Sequence, residues 1–359
     1  MDYYILDDLF RKKSIINDPI SVIWTERYRD PGDCELVVPL NFDNYTKYGL
    51  GTFLNRAGSK EVVIVDTILI EDQKMKIKGE SLYKFLEQRA FRYPQTDVGS
   101  ESGEPVVGDP ANMAKIFVYH MAGPAPNFGP QGSTERITNL TQGIVDTSKP
   151  DISVSLPPGT LFDTIQAICK EADMGFRLYL DSVDDAGNYS LKFDAYFGSN
   201  KDLLFSEDNN SLSNGSELLS NKNLKNVAFV YAPALYGIAT NNTKTVWLGV
   251  SSPTNFERRL MIVRADDLTE DNYVDDTTLH TLLEARGRTA LAQQKIDHLF
   301  DGEAPQNSPY KIGVDYNLGD IVTLQADSGL KSQVRIIEHI WSQDETGEKA
   351  YPSLEMLQL

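Results

Sequence analysis

The feature that most constrains this chain is a succession of short β-patterned runs divided by tight turns, with helical patterning confined to a few isolated stretches. Ile20-Ser21-Val22-Ile23-Trp24 and Cys34-Glu35-Leu36-Val37-Val38-Pro39 are strand-like, and Arg29-Asp30-Pro31-Gly32-Asp33 between them carries a Pro-Gly turn signal. Glu61 to Asp66 and Thr67 to Ile70 follow. Met75-Lys76-Ile77-Lys78-Gly79 then alternates apolar with basic residues, the period of a strand with one buried face. The polar Glu71-Asp72-Gln73-Lys74 forms the loop of a hairpin. Several short strands joined this way predict a small antiparallel barrel or sandwich.

Beyond it the pattern changes. Ser81 is a candidate N-cap for a helix with Leu82, Phe85 and Leu86 on one face, after which Gln95 to Gly108 reads as a long loop. Asp109-Pro110 opens a helix bearing Met113, Ile116, Phe117 and His120, and Ala122 to Pro150 reads as a further extended connection. Leu161, Ile165, Ile168, Cys169 and Ala172 share a helical face between Thr160 and Met174, with Gly175 in position to end the helix. Strands over Phe176–Leu180 and Tyr189–Tyr196, joined by a turn at Asp181–Asn188, complete a small α/β unit.

Leu203-Leu204-Phe205-Ser206 leads into a polar stretch from Glu207 to Asn223. Strand character returns at Asn226–Tyr231, Thr245–Val250 and Arg259–Val263. A long helix starting at Asp275 or Asp276 carries Leu279, Leu282, Leu283 and Ala290 and is expected to stop near Asp301-Gly302. The remainder is β-patterned at Tyr310–Tyr316, Ile321–Leu324, Val334–Trp341 and Tyr351–Leu357. The expected organisation is a first β-barrel over 1–92, an α/β intermediate domain with long loops over 93–200, and a β-rich region over 201–359 with one helix at 275–301.

The chain has 359 residues, 52 of them acidic and 34 basic, for a net charge of -18. That excess argues against gripping nucleic acid, which Lys and Arg accomplish by displacing counterions, and against docking on an anionic membrane. It is compatible with a conduit that DNA slides through without adhering. The N-terminus lacks the basic segment and apolar run of a signal peptide, and no stretch reaches the length of a membrane span, so folding in cytosol without membrane insertion is expected. The two cysteines, Cys34 and Cys169, read as small core residues in a reducing compartment.

Motifs for chemistry are absent. The four histidines, His120, His280, His298 and His339, include no helical i, i+4 pair, and neither cysteine belongs to a C-x-x-C motif. Asp181 to Asn188 lacks the register and closing glutamate of a calcium loop and reads as a hairpin tip. There is no G-x-S-x-G elbow, no P-loop and no dinucleotide fingerprint, and Arg11-Lys12-Lys13 and Arg258-Arg259 are too small for a nucleic-acid footprint. No catalytic, cofactor-binding or metal-binding residue is assigned, no cofactor is expected, and the protein is read as non-enzymatic.

The order of certain segments is more telling. Tyr4-Ile5-Leu6-Asp7, Ile23-Trp24-Thr25-Glu26-Arg27-Tyr28, the Pro-Gly turn into Cys34–Pro39 and Gly79-Glu80-Ser81-Leu82 follow one another. Gly198 through Leu203-Leu204-Phe205-Ser206, then Tyr316-Asn317-Leu318-Gly319-Asp320-Ile321-Val322 and Val334-Arg335-Ile336-Ile337-Glu338 come later in the same succession. In this order the chain resembles siphophage and prophage tail proteins related to the central baseplate hub, or tail tip hub, of contractile phages. The resemblance implies an α+β, mainly β chain in which two antiparallel β-barrel domains of tube type flank a smaller α/β domain. It implies a homotrimer whose ring continues the tail tube. It implies contacts with the distal tail protein, the tape-measure protein and the tip or receptor-binding proteins, in a virion tail assembled in the host cytoplasm. DNA would pass through without specific binding. Some such hubs carry a C-terminal wall hydrolase, and none is expected here after the last strand. Two readings compete. An adhesive or carbohydrate-binding tail-tip protein would need exposed aromatic platforms, for which Trp24, Trp247 and Trp341 are the candidates. A wall hydrolase would need a paired-carboxylate cleft.

Overall fold

The computed structural model of the chain describes residues 2–17, 19–91, 106–124, 136, 137, 139–143, 150–154, 156, 159–183, 189–294, 297–303, 308–325 and 331–357. The fold is mainly β, 43% strand and 20% helix, in agreement with the α+β expectation. Most strands join one 13-stranded sheet. Its first half runs, in spatial order, through Lys12–Ile15, Tyr3–Leu6, Phe53–Arg56, Val63–Glu71, Lys74–Ser81, Asp33–Pro39 and Ser21–Arg27. Ser21–Arg27 then pairs antiparallel with Lys331–Asp344, Val22 opposite Gln343 and Arg27 opposite Glu338. The sheet continues through Gly347–Met356, Asp297–Glu303 and Ser213–Ser220. Asn200–Phe205 and Ile321–Gln325 attach at the other end of Lys331–Asp344. Among the described residues no barrel closes, and the strands from both chain ends share this one sheet.

Alternation explains the first half. In Asp33–Pro39 the residues Cys34, Leu36 and Val38 face inward, and in Lys74–Ser81 Met75 and Ile77 do. Lys76 and Lys78 point outward and bracket Glu35 at 2.8 and 3.1 Å. Trp24, Val22, Val65 and Trp341 complete this core, so the core itself spans both chain ends. The hairpin at Glu71–Lys74 turns on Asp72 and Gln73, both at positive φ, the backbone a two-residue hairpin requires.

Five helices occupy the described residues. They are α1 (Phe42–Lys47), α2 (Lys84–Glu87), α3 (Pro110–Ala122), α4 (Leu161–Glu171) and α5 (Asp276–Ala292). The caps follow the sequence where a short polar side chain precedes the helix. Asp109 accepts from the Asn112 amide at 2.9 Å, Thr160 from Asp163 at 3.1 Å, and Asp275 from Thr277 and Thr278 at 2.8 and 2.9 Å. Helices α3 and α4 bury Phe117, Val118, Ile165 and Ile168 in one core with Phe176, Leu178 and Phe193 of Gly175–Val183 and Tyr189–Tyr196. Helix α5 lays Leu279, Leu282 and Leu283 against Ala228, Val230 and Val246, which belong to a separate three-stranded sheet of Thr243–Trp247, Val227–Tyr231 and Leu260–Arg264.

Several expectations are corrected. The long helix does not run over 275–301: it stops at Ala292, and Asp297–Glu303 is a strand between Ser213–Ser220 and Gly347–Met356. Ladder hydrogen bonds from two neighbours replace the helix, and Asp297, Asp301 and Glu303 would have stood unfavourably at a helix C-terminus. The polar stretch 207–223 contains Ser213–Ser220, which is a strand because a neighbour supplies its pairing. Tyr310–Tyr316 is a loop closed by a single bridge between Ile312 and Tyr316. Ser81 ends a strand and accepts the Gly32 amide at 3.0 Å, and α2 starts after Tyr83 without a side-chain cap. Of the long loops, Val106–Gly108 pairs with Ile152–Val154 and Leu140–Gln142 lies parallel to Tyr189–Tyr196. Residues 95–105, 125–135, 138 and 144–149, and 184–188 of the hairpin turn, lie outside the described residues.

Tyr28 ties the units together. Its side chain is 0% exposed, and its hydroxyl donates to the Tyr196 carbonyl at 3.2 Å while accepting from the Gly198 amide at 3.3 Å. Its own amide donates to Ile337 O, and its carbonyl accepts from Phe176 N. Gly175 was expected to end α4, yet Asp173 takes the left-handed turn at φ 54°. Gly175 is glycine for another reason: a Cβ there would overlap the Tyr28 ring. The same holds for Gly319, which also sits at φ 87°. Beside the ring, Asp173 receives Arg29 at 2.5 Å and Arg335 at 2.6 Å. Replacing Gly319 by Ala therefore costs on the order of 3 kcal/mol, from overpacking plus a disfavoured backbone. Tyr28→Phe, which removes only the hydroxyl, costs about 1 kcal/mol. Urea unfolding of both variants checks the ranking, and an equal loss in the two contradicts it.

Candidate functional site

The first sheet, the α/β unit and the loop around Ile312–Leu318 enclose a cavity of about 560 Å³. Its polar lining comes from distant segments: Glu26, Arg56, Lys60, Glu61 and Arg177, with Tyr179, Tyr196 and Trp341 as the aromatic wall. Glu26 ends the buried run of strand Ser21–Arg27, and Arg56 ends Phe53–Arg56. Arg177 projects from Gly175–Val183, so the Tyr28 junction fixes Glu26 and Arg177 relative to one another, while Arg56 is held by the pairing of its own strand.

One oxygen of the Glu26 carboxylate is heavily engaged. This Oε1 accepts from Trp24 Nε1 at 3.1 Å, Ser59 Oγ at 2.6 Å and Arg56 Nη2 at 3.3 Å. The Arg56 guanidinium sits over Trp341, 3.6 Å from the ring centroid. Arg177 contacts Asp194 at 3.3 Å and stands between the rings of Tyr179 and Tyr196, 4.6 and 4.8 Å from their centroids. Glu61 is only 8% exposed, and its carboxyl has no hydrogen bond or ion pair among the described residues. Burial, and then the neighbouring Glu26 charge, push its pKa well above the ordinary carboxylate range. Behind the wall, His339 stacks 4.1 Å from Trp341 and is pushed down to about 3 by burial and by Arg56, so it stays neutral.

The cavity thus contains two carboxyls, the feature the hydrolase reading asked for, but Glu26 has one of its two oxygens committed to three donors of the protein itself. The aromatic candidates are distributed differently. Trp24 is buried, Trp341 lies under Arg56 and His339, and Trp247 is half-buried on the sheet that α5 covers. Cys34 and Cys169 are buried, unpaired thiols whose pKa values burial raises. Among the described residues no group of three His, Cys, Asp or Glu side chains could hold a metal, and no helix is long and apolar enough to cross a membrane. Sequence reading passed over Arg56, Glu61 and Arg177. The only local signal was a charge set beside or inside an apolar run, as in Phe176-Arg177-Leu178.

The model of one protein family, described as Siphovirus ReqiPepy6 Gp37-like protein, matches residues 2–351. The chain belongs to this siphovirus tail protein family. Two solved structures have the fold of this Gp37-like chain. The 43 kDa tail protein of prophage MuSo2 from Shewanella oneidensis superposes with a TM-score of 0.52 at 13% identity, over 99% of this chain and 98% of that one. A tail protein from Neisseria meningitidis MC58 gives 0.51 at 11% identity, over 99% and 96%. No curated protein matches the chain. At such identities the likeness establishes a shared fold along the whole length of the Gp37-like chain.

The two perturbed groups give opposite pH dependences. Native His339 cannot take up a proton until about pH 3, whereas the unfolded chain does so near 6.5. Its contribution to stability is full above that value and is lost as pH falls, with a slope of up to about 1.4 kcal/mol per unit. Glu61 has a raised folded pKa, so its contribution is full below the ordinary value of 4.5 and is lost as pH rises. Denaturant unfolding of His339→Gln and Glu61→Gln as a function of pH checks both signs. The first variant should lack part of the acid-side loss, and the second should gain most over the parent near neutral pH.

Proposed function

We propose that this protein is a non-enzymatic ring subunit of the phage tail tip, of hub type, that ends the tail tube and mounts tip proteins. One observation carries the reading: a family match over nearly the whole chain coincides with the fold of two tail proteins along the full length of each. In this proposal residues 1–92 and 201–359 supply the two tube-type β units and 93–200 the α/β unit between them. Three copies form a pseudo-sixfold annulus. The distal tail protein lies above it, with the tape-measure protein and the receptor-binding tip as further neighbours.

Two features support the reading physically. The first and last β regions share a sheet through the pairing of Ser21–Arg27 with Lys331–Asp344, so the two proposed tube units would move as one rigid wall. The net charge of -18 suits a lumen along which DNA must slide without binding. The engaged Glu26 favours the structural role over a carboxylate-pair hydrolase. Electron cryomicroscopy of the phage tail, with this chain located by an inserted tag, tests the proposal. Three copies around the axis at the distal end are expected, together with no release of fragments from peptidoglycan by the purified chain. Density elsewhere in the virion, a symmetry other than three, or wall hydrolysis would each reject it.

A further inference from the structure

The cavity described above collects more hydrogen-bond donors than acceptors. Arg56 Nε and Arg177 Nε are both buried and have no hydrogen-bond partner among the described residues. Lys60 stands exposed at the rim with no ion pair among the described residues, its ammonium 5.5 Å from the Tyr179 centroid. Of the acceptors close to Arg56, Glu26 Oε1 is already shared among three donors, and the Ala57 carbonyl accepts from Arg56 Nη1 at 3.2 Å. The buried Glu61 carboxyl lines the same space, with no hydrogen-bond or ion-pair partner among the described residues. Leaving a buried donor unsatisfied costs about 1–3 kcal/mol, so a group that brings acceptors into this space recovers it.

We infer that this cavity is a binding site for a small oxyanion, a carboxylate or a phosphate group, held between Arg56, Lys60 and Arg177. The guanidinium planes are fixed in advance by Trp341, Tyr179 and Tyr196, so little side-chain freedom is lost when the anion arrives. A cation would meet three positive groups. A neutral sugar would find the Trp341 ring already covered by Arg56 and His339. The protonated Glu61 adds a donor. The charged and titratable groups facing it are Glu26, Arg27, Arg56, Arg177, Tyr83 and Tyr196. Deprotonation of Glu61 both removes that donor and sets a negative charge beside the anion, so binding weakens as pH rises. This site goes beyond the tail-tip role and stands or fails independently of it.

Isothermal titration of the full chain with acetate and, separately, with inorganic phosphate tests the inference. Saturable binding of either anion is expected, and which one binds identifies the group. Lys60→Gln, at an exposed position that leaves folding intact, and Arg177→Gln should each weaken binding by about tenfold, the loss of one charge-assisted hydrogen bond. Acetate binding should weaken as pH is raised through the range in which acetate stays ionised, and Glu61→Gln should remove that dependence. Absence of binding by both anions up to about 10 mM, near the weak limit of a specific site, would overturn the inference. Binding that both Lys60→Gln and Arg177→Gln leave unchanged would overturn it as well.

Discussion

The architecture depends on one buried aromatic ring and the space cleared for it. Tyr28 leaves the end of strand Ser21–Arg27, enters the α/β unit through Gly175 and Tyr196, and meets the C-terminal strands through Gly319 and Ile337. A side chain at either glycine would push the units apart, because close-packed interiors have no slack to absorb a methyl group. The ion pairs of Asp173 with Arg29 and Arg335 flank the ring. They supply direction more than energy, since Asp173 is part-exposed and water screens it.

That constraint also explains the cavity. Its lining residues are far apart in sequence, and several of them sit on elements whose position is set by the Tyr28 junction or by pairing next to it. Glu26 precedes Tyr28 by a turn of the strand, Arg177 follows Gly175, and Trp341 stands opposite Trp24 in the sheet. Charges collected in this way are held by packing. This is why Glu61 can remain buried with no partner among the described residues and His339 can remain neutral between aromatic and cationic neighbours.

How much of this was legible depends on the range of the interaction. The hairpins at 21–39 and 63–81 could be read because alternation and turns are local, and so could the helix starts at Asp109, Thr160 and Asp275. The order of such segments was enough to point to the tail-protein family. Strand Asp297–Glu303 was read as helix because its pairing partners lie elsewhere in the chain, and Ser213–Ser220 was hidden by polar composition for the same reason. Gly175 looked like a helix terminator, since no local pattern encodes the approach of a ring from Tyr28. Of the cavity, only the presence of lone charges beside apolar runs was visible.

The junction of Ser21–Arg27 with Lys331–Asp344 carries a consequence for biosynthesis. The ion pair of Arg27 with Glu338 spans 311 positions, so one edge of the amino-terminal sheet waits uncovered until Lys331–Asp344 has been translated. An open strand edge is a template for unwanted pairing, and contacts of such long range form late and slowly. Thr25 and Glu26 beside the buried Trp24 interrupt the apolar run along this edge. The main sheet is therefore completed only once Lys331–Asp344 has been made, and that strand closes a wall begun by the first ones.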